Sequence, residues 1–407
     1  MKKRALVIIG IIIGALVLLG LYLLYLNVFV NKHRLDLAHK TVISSEYRTI
    51  AADSNIMPSY MWRRIQNILM DGDYLMSDYM LEGRLANQDA VPSDKFELKD
   101  QSWLLLRYLA SGDRGNSVKL VGKINEDFRN GDGSYRACIT KDGEADESYT
   151  NSDELTFLEA YIEYYSAYGN DEDLENIRAL VSVVFDDTGL IKPELLKSTT
   201  FTNEVGEDEE TYEFRGVKLS DINLELIGNL ERNGFIAEGS YDRYCSVVSG
   251  GVVSYDVPYF AYACVIDDSG EADYIYSGME AATISVGDSV KTMVNLARVD
   301  LLSDSIYHQF KTNLINDGVI YSSYSLTTGL TGGSELQDSY VDALALAKFK
   351  DDTDLFRSIA KILSVRVATK TQSRALYLVF RSENNRYVFY SDENIRIYLV
   401  VNGMFAV

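Results

Sequence analysis

The chain has 407 residues, 47% of them hydrophobic, and a formal net charge of −21, with 60 Asp and Glu against 39 Lys and Arg. A surface this acidic repels phosphate backbones and anionic headgroups, which makes nucleic acid and anionic lipid poor partners. Three cysteines are too few for a disulfide framework, and of three histidines only His308 lies in the body, which disfavours Ser-His-Asp or Cys-His catalysis and histidine-bound zinc.

From the N-terminus, the first element is the uncharged run from Ala5 to Val30, bracketed by Lys2, Lys3 and Arg4 and by Lys32 and Arg34. At roughly 1.5 Å per residue it is long enough to cross a hydrocarbon core of about 30 Å, and it is apolar all round. A cleaved signal peptide has a shorter core and a small-residue cleavage site, whereas this run ends in Val28, Phe29 and Val30. The sequence predicts an uncleaved transmembrane anchor at 5–30, a cytoplasmic tail at 1–4 and a C-terminal domain outside the cell, the basic residues being heavier before the span than after it. No cysteine lies near the span, which excludes a lipoprotein.

Residues 31–56 read as a stalk or a helical extension of the anchor. From 57 to 407 a mainly α domain is expected. The stretch 57–70 places Met57, Tyr60, Met61, Ile65, Ile68 and Leu69 on one helical face, with Pro58 at the start. An acidic residue then opens an apolar helix repeatedly, at Asp100, Asp153, Asp221, Glu280, Asp338 and Asp392, at intervals of 53 to 68 residues. More polar helices lie between these, at 115–129, 171–185, 302–315 and 352–365. Extended returns begin at Gly133, Gly189, Gly234 and Gly318, each glycine suiting a helix end with positive φ. The segment 241–268 fits poorly and reads as strands or a long loop. Apolar inner helices shielded by polar outer ones predict a closed toroid of six helical hairpins, with an open superhelix as the alternative.

Helices entering in one sense collect their acidic first turns at one rim. Capping explains any single acid, since one acceptor satisfies a helix N-terminus, and Asp221, Glu280 and Asp338 are assigned to that role. Doubled carboxylates beside aromatics point further. Asp153 and Glu154 follow Tyr149, and Asp392 and Glu393 follow Tyr390, with Trp103 near Asp100. Acid, base and flat rings for sugars are what a glycosidase needs. The acidic loops at Lys141–Glu147 and Glu204–Glu210 lack the alternating ligands and central glycine of a calcium loop, so neither metal nor cofactor is expected. A Cys245–Cys264 bridge and three free thiols are both compatible with the sequence, the second being favoured.

The stretch YSDENIRIYLVVNG (390–403) resembles the Tyr-Asp-Ala-x-Arg-x-x-Leu-Tyr-Leu stretch of the glycoside hydrolase family 8 cellulases, including those of bacterial cellulose synthesis clusters. LKDQSWLLLRYLASGDR (98–114) is similar to their Glu-Gly-Gln-x-Tyr-Gly-Met helix and following Ala-Gly-Asp-Arg turn. NSDELTFLEAY (151–161) is similar to their Thr-Asp-Ala-Asp-Leu helix. The resemblance implies a six-hairpin toroid that cuts β-1,4 glucans or related polymers with inversion. It also places Lys99 where the family has its acid Glu, Glu393 where it has its base Asp, Asp392 at a Tyr, Glu154 at the second Asp, and it keeps Arg396. Either the acid role has moved to Asp100, with Asp392 or Glu393 activating water, or the toroid no longer cuts. Substrate contacts fall on Trp103, Tyr149, Asp153, Glu154, Tyr390 and Arg396. The expected function is a membrane-anchored glycosidase on a β-linked polysaccharide, with a non-catalytic protein that binds polysaccharide or scaffolds a polysaccharide synthase complex as the alternative.

Overall fold

The computed structural model describes residues 14–22, 35–40, 45–82, 90–143, 145–146, 150–202, 209–254, 257–267, 270–276 and 282–403. Residues 14–22 are helical, and Leu16, Val17, Leu18, Leu19, Leu21 and Tyr22 are each more than half exposed. No helix among the described residues is long and apolar enough to cross a membrane, and the rest of the run 5–30 lies outside them.

From residue 45 the helices are, in chain order, α1 (Ser45–Asp53), α2 (Pro58–Arg64, continued by a π-helical turn Ile65–Leu69), α3 (Leu98–Ala110), α4 (Arg114–Asp127), α5 (Asn151–Tyr168), α6 (Asp171–Val184) and α7 (Leu224–Arg232). They continue as α8 (Ser240–Gly250), α9 (Val286–Arg298), α10 (Asp304–Asp317), α11 (Ser339–Phe349), α12 (Thr353–Ser364) and α13 (Ser391–Asn402). The odd-numbered helices from α3 onward form the inner ring and the even-numbered ones the outer layer. The division follows from composition. Every residue of α11 is buried, its two charges, Asp342 and Lys348, being partnered by Arg396 and by the Val400 carbonyl, while α12 buries only the stripe Leu355, Phe356, Ile359, Ala360 and Leu363.

The ring closes. α3 packs on α5, α9 on α11, α11 on α13, and α13 returns to α3. α7, with 9 residues, is shorter than its ring neighbours α5 and α9, with 18 and 13, and a 3-10 turn at Leu219–Asp221 fills the gap by packing on both. This is the expected mainly α six-hairpin toroid, and the first-to-last contact excludes the open superhelix. Strands lead into the inner helices: Lys95–Glu97 into α3, Thr283–Ser285 into α9 and Arg386–Tyr390 into α13. That end of the barrel is the mouth. The glycine turns hold as well, with Gly133, Gly189, Gly234 and Gly318 all at φ between 70 and 92°.

Three expectations are corrected. Residues 241–250 belong to an outer helix, because burying Tyr244, Val247 and Val248 on one face outweighs the β preference of the valines; strands begin only at Val252. The fourth opening helix starts at Val286 with Asp288 in its first turn, while Glu280 lies outside the described residues. The described part of 31–56 is no free stalk: 35–40 and α1 are packed on the end of the barrel opposite the mouth, with Tyr47 and Ala51 fully buried. All three cysteines are free.

Candidate active site

The first-turn acids do not cap their helices. Where an inner helix has a side-chain cap, a residue just ahead of it supplies the oxygen: Thr150 accepts from the Asp153 N–H at 3.1 Å, Asn223 from Leu226 at 3.2 Å and Ser285 from Asp288 at 3.3 Å. α3, α11 and α13 have no side-chain cap. A cap acceptor must precede the helix in extended backbone, whereas Asp100, Asp153 and Glu393 sit at its third residue. Asp221 and Asp338, assigned above to capping, bond no backbone N–H; each has one buried oxygen without a partner. Thr150→Ala is therefore expected to cost about 1 kcal/mol in urea unfolding, as a lost cap, with no comparable cap to lose at Asp221.

Freed from capping, these carboxylates gather at the mouth. Asp100 is 1% exposed and its Oδ1 has no partner. Burial pushes its carboxyl well above the usual carboxylate range, and the charges of Asp392 and Glu97 push it further. Asp392 is 28% exposed and takes a 3.5 Å contact from Arg396 Nη1. Lys99, at the position of the family's acid, binds Glu97 at 2.9 Å. Burial alone would lower the Lys99 pKa, but Asp392, Glu97 and Asp100 more than offset it, so the ammonium stays charged among them. Asp153 belongs to the same group: burial raises its pKa, opposed by Thr150 and Lys99.

Below the rim a polar cavity of about 80 Å³ runs into the barrel axis, lined by Trp103, Ser152, Asp221, Lys291, Asp342, Arg396 and, deeper, Glu159, Asn223 and Arg298. The Arg396 guanidinium lies 5.4 Å from the Trp103 ring centre and also pairs with Asp342. Arg298 bridges Glu159 at 2.5 Å and Glu225 at 2.9 Å.

Not every expected residue reaches the mouth. Glu154 is fully buried and accepts the Tyr135 N–H at 3.0 Å, so it holds the return after α4; burial pushes its pKa up to about 7. Successive helical residues diverge by about 100°, which is why Asp153 and Glu154 face different layers. Glu393 turns to Arg381 Nε at 3.1 Å, with its pKa likewise raised by burial to about 7. The Tyr390 hydroxyl donates to Glu383 and its ring lies 4.5 Å from the Arg381 guanidinium, so Tyr390 and Glu393 form a wall beside the mouth. Tyr149 lies outside the described residues. Sequence reading passed over Asp342, Lys291 and Arg298. A lone acid inside the apolar run of α11 was the available signal for Asp342, since a buried charge demands a partner.

No family model matches the sequence, and no curated protein matches it. Solved structures do. An alpha-amylase from Clostridium perfringens superposes with a TM-score of 0.66 at 14% identity, covering 87% of this chain and 97% of its own. PssZ from Listeria monocytogenes gives 0.53 at 12% identity, over 84% and 94% of the two chains. A xylobiose complex of a glycoside hydrolase family 8 enzyme from Teredinibacter turnerae gives 0.52 at 13%, over 89% and 98%. With the closed ring, they establish that this chain has the (α/α)6 toroid of the family 8-like glycoside hydrolases.

Proposed function

We propose that the protein is a membrane-anchored, outward-facing glycoside hydrolase acting on a β-linked polysaccharide, with Asp100 as proton donor and Asp392 as the base that activates water. The observation that carries this reading is the pairing of a buried, proton-retaining Asp100 with a solvent-reachable Asp392 at the mouth of a glycosidase toroid. Asp100 would protonate the leaving glycosidic oxygen while Asp392 takes a proton from the water that attacks the anomeric carbon from the opposite face. The product then has inverted configuration, and the two carboxyls must admit a water between them, at a separation of about 6.5 to 9.5 Å. Trp103 offers a flat face to a sugar ring at the cavity entrance, and Arg396 fixes both that ring and Asp392. Glu393 is assigned to the wall rather than to the base because Arg381 holds it out of the cavity.

The xylobiose complex among the similar structures supports a β-linked chain, and the alpha-amylase among them makes α-linked glucan the competitor. The exposed apolar helix at 14–22 supports the anchor. The test incubates residues 31–407 with β-glucan, xylan and starch and measures reducing ends, with the anomer of the first product read by NMR. Inverted product from a β-linked polymer is expected. Release from starch alone refutes the linkage. A second reading, a non-cutting toroid that binds polysaccharide or scaffolds a synthase complex, is favoured by Lys99 in place of the family's acid; binding without reducing ends from any polymer would establish it.

A further inference from the structure

The N-terminal segment that joins the anchor to the barrel is a strap across its base. Asp36 and Ala38 donate backbone N–H bonds to Asn233 and Asn229 at the end of α7, at 2.9 and 2.8 Å, and Asn233 Nδ2 returns a bond to Asp36 O at 3.0 Å. Leu35 N–H reaches Ser166 near the end of α5. Lys40 Nζ binds Ala297 O at the end of α9 at 2.8 Å. α1 then covers the other half. Arg48 reaches the Asn402 carbonyl at the end of α13, and the Tyr47 hydroxyl donates to Asp351 just past α11. Every one of these partners lies at the C-terminal end of an inner helix, opposite the carboxylate mouth.

We infer that this strap seats the base of the toroid on the bilayer and points the mouth away from it, so that the polymer approaches from the outer side; the inference rests on the anchor reading above. Reach decides it. Between Val30 and Leu35 the chain can extend no more than about 17 Å. α3, with 13 residues, is about 20 Å long, and the strand-built rim adds height above it. With the mouth turned to the bilayer, Leu35 would sit farther from the surface than the tether can span. The membrane-facing base thus presents the strap to the lipid surface, and no glycan leaving that surface has direct entry to the mouth.

The full chain, with its three cysteines changed to serine, is reconstituted in phosphatidylcholine vesicles containing headgroup-nitroxide lipid, and a fluorophore is placed at Ser111→Cys or Asp94→Cys. Both positions are exposed, the first at the base end of α3 and the second beside the strand that enters it. Flotation with the vesicles reports the anchor. Among floating protein, several-fold stronger quenching at Ser111→Cys than at Asp94→Cys is expected. Equal quenching, or stronger quenching at Asp94→Cys, overturns the orientation and leaves the anchor standing. Failure to float refutes the anchor, and with it the orientation.

Discussion

Asp100→Asn is expected to lower turnover of the polysaccharide by 10²- to 10⁴-fold, the range of one general acid, while the melting temperature at neutral pH stays level or rises. The loss follows from chemistry: the amide has no proton to give at the glycosidic oxygen. Stability moves otherwise because the carboxyl does no structural service. It caps no helix, its Oδ1 is unpartnered, and burial together with Asp392 and Glu97 penalises its ionised form. Removing an ionisable group whose folded pKa is raised removes a cost that grows as pH rises above the ordinary carboxylate range. Asp392→Asn should lose turnover on a similar scale and shift any residual pH profile, since Asp392 is the foremost charge holding the Asp100 proton. In that variant the limb set by Asp100 should move to lower pH. Steady-state reducing-end assays and thermal melts across pH 5 to 8 check both. Retained turnover in Asp100→Asn sinks the acid assignment, and a markedly lower melting temperature would make the residue structural.

The ring and the rim were legible in the sequence because they rest on periodicity. Six apolar helices at near-regular spacing can bury themselves only against one another, and Asp100, Asp153 and Asp392 share a rim because their helices enter in the same sense. What periodicity does not carry is azimuth. Whether Glu154 or Asp153 faces the axis depends on how α5 is rolled against α3, and a rotation of one residue exchanges mouth for outer layer. The same uncertainty hid Glu393, which follows Asp392 yet turns to Arg381. Capping was misread for a related reason: Asp221 lies near a helix start, but Asn223 occupies the position from which an acceptor reaches the N–H of Leu226. The strap had no periodic signature at all, since six residues outside any helix or strand are recognised only through the asparagines they meet on α7.

His39→Ala is expected to destabilise the domain by about 3 kcal/mol at pH 7, the lower end for removing one partner from a buried charge cluster. Contrary to the expectation that only His308 lies in the body, His39 is part of it: it stands between two buried acids at the base, 3.0 Å from Glu163 and 3.2 Å from Glu225. Burial alone would lower the imidazole pKa, but hydrogen bonds and charges from the two glutamates prevail and raise it from 6.5 to about 10. Without the imidazolium, Glu163 has no cation in the cluster, and Glu225 keeps only the Lys40 N–H and Arg298, which it shares with Glu159. Because the folded pKa exceeds the unfolded one, the contribution of His39 is fully present below pH 6.5 and is lost as pH rises toward 10. The wild type should therefore lose stability across that window, and the gap between it and His39→Ala should close. Urea unfolding at pH 6.5 and at pH 9.5 measures the gap directly. An equal gap at both values would mean that His39 contributes packing and not charge. The cluster also carries a functional consequence, since Arg298 and Glu159 line the deep wall of the cavity. The variant that keeps an N–H donor and much of the side-chain volume without the charge, His39→Gln, should then weaken polymer turnover less than Asp100→Asn and lower stability less than His39→Ala.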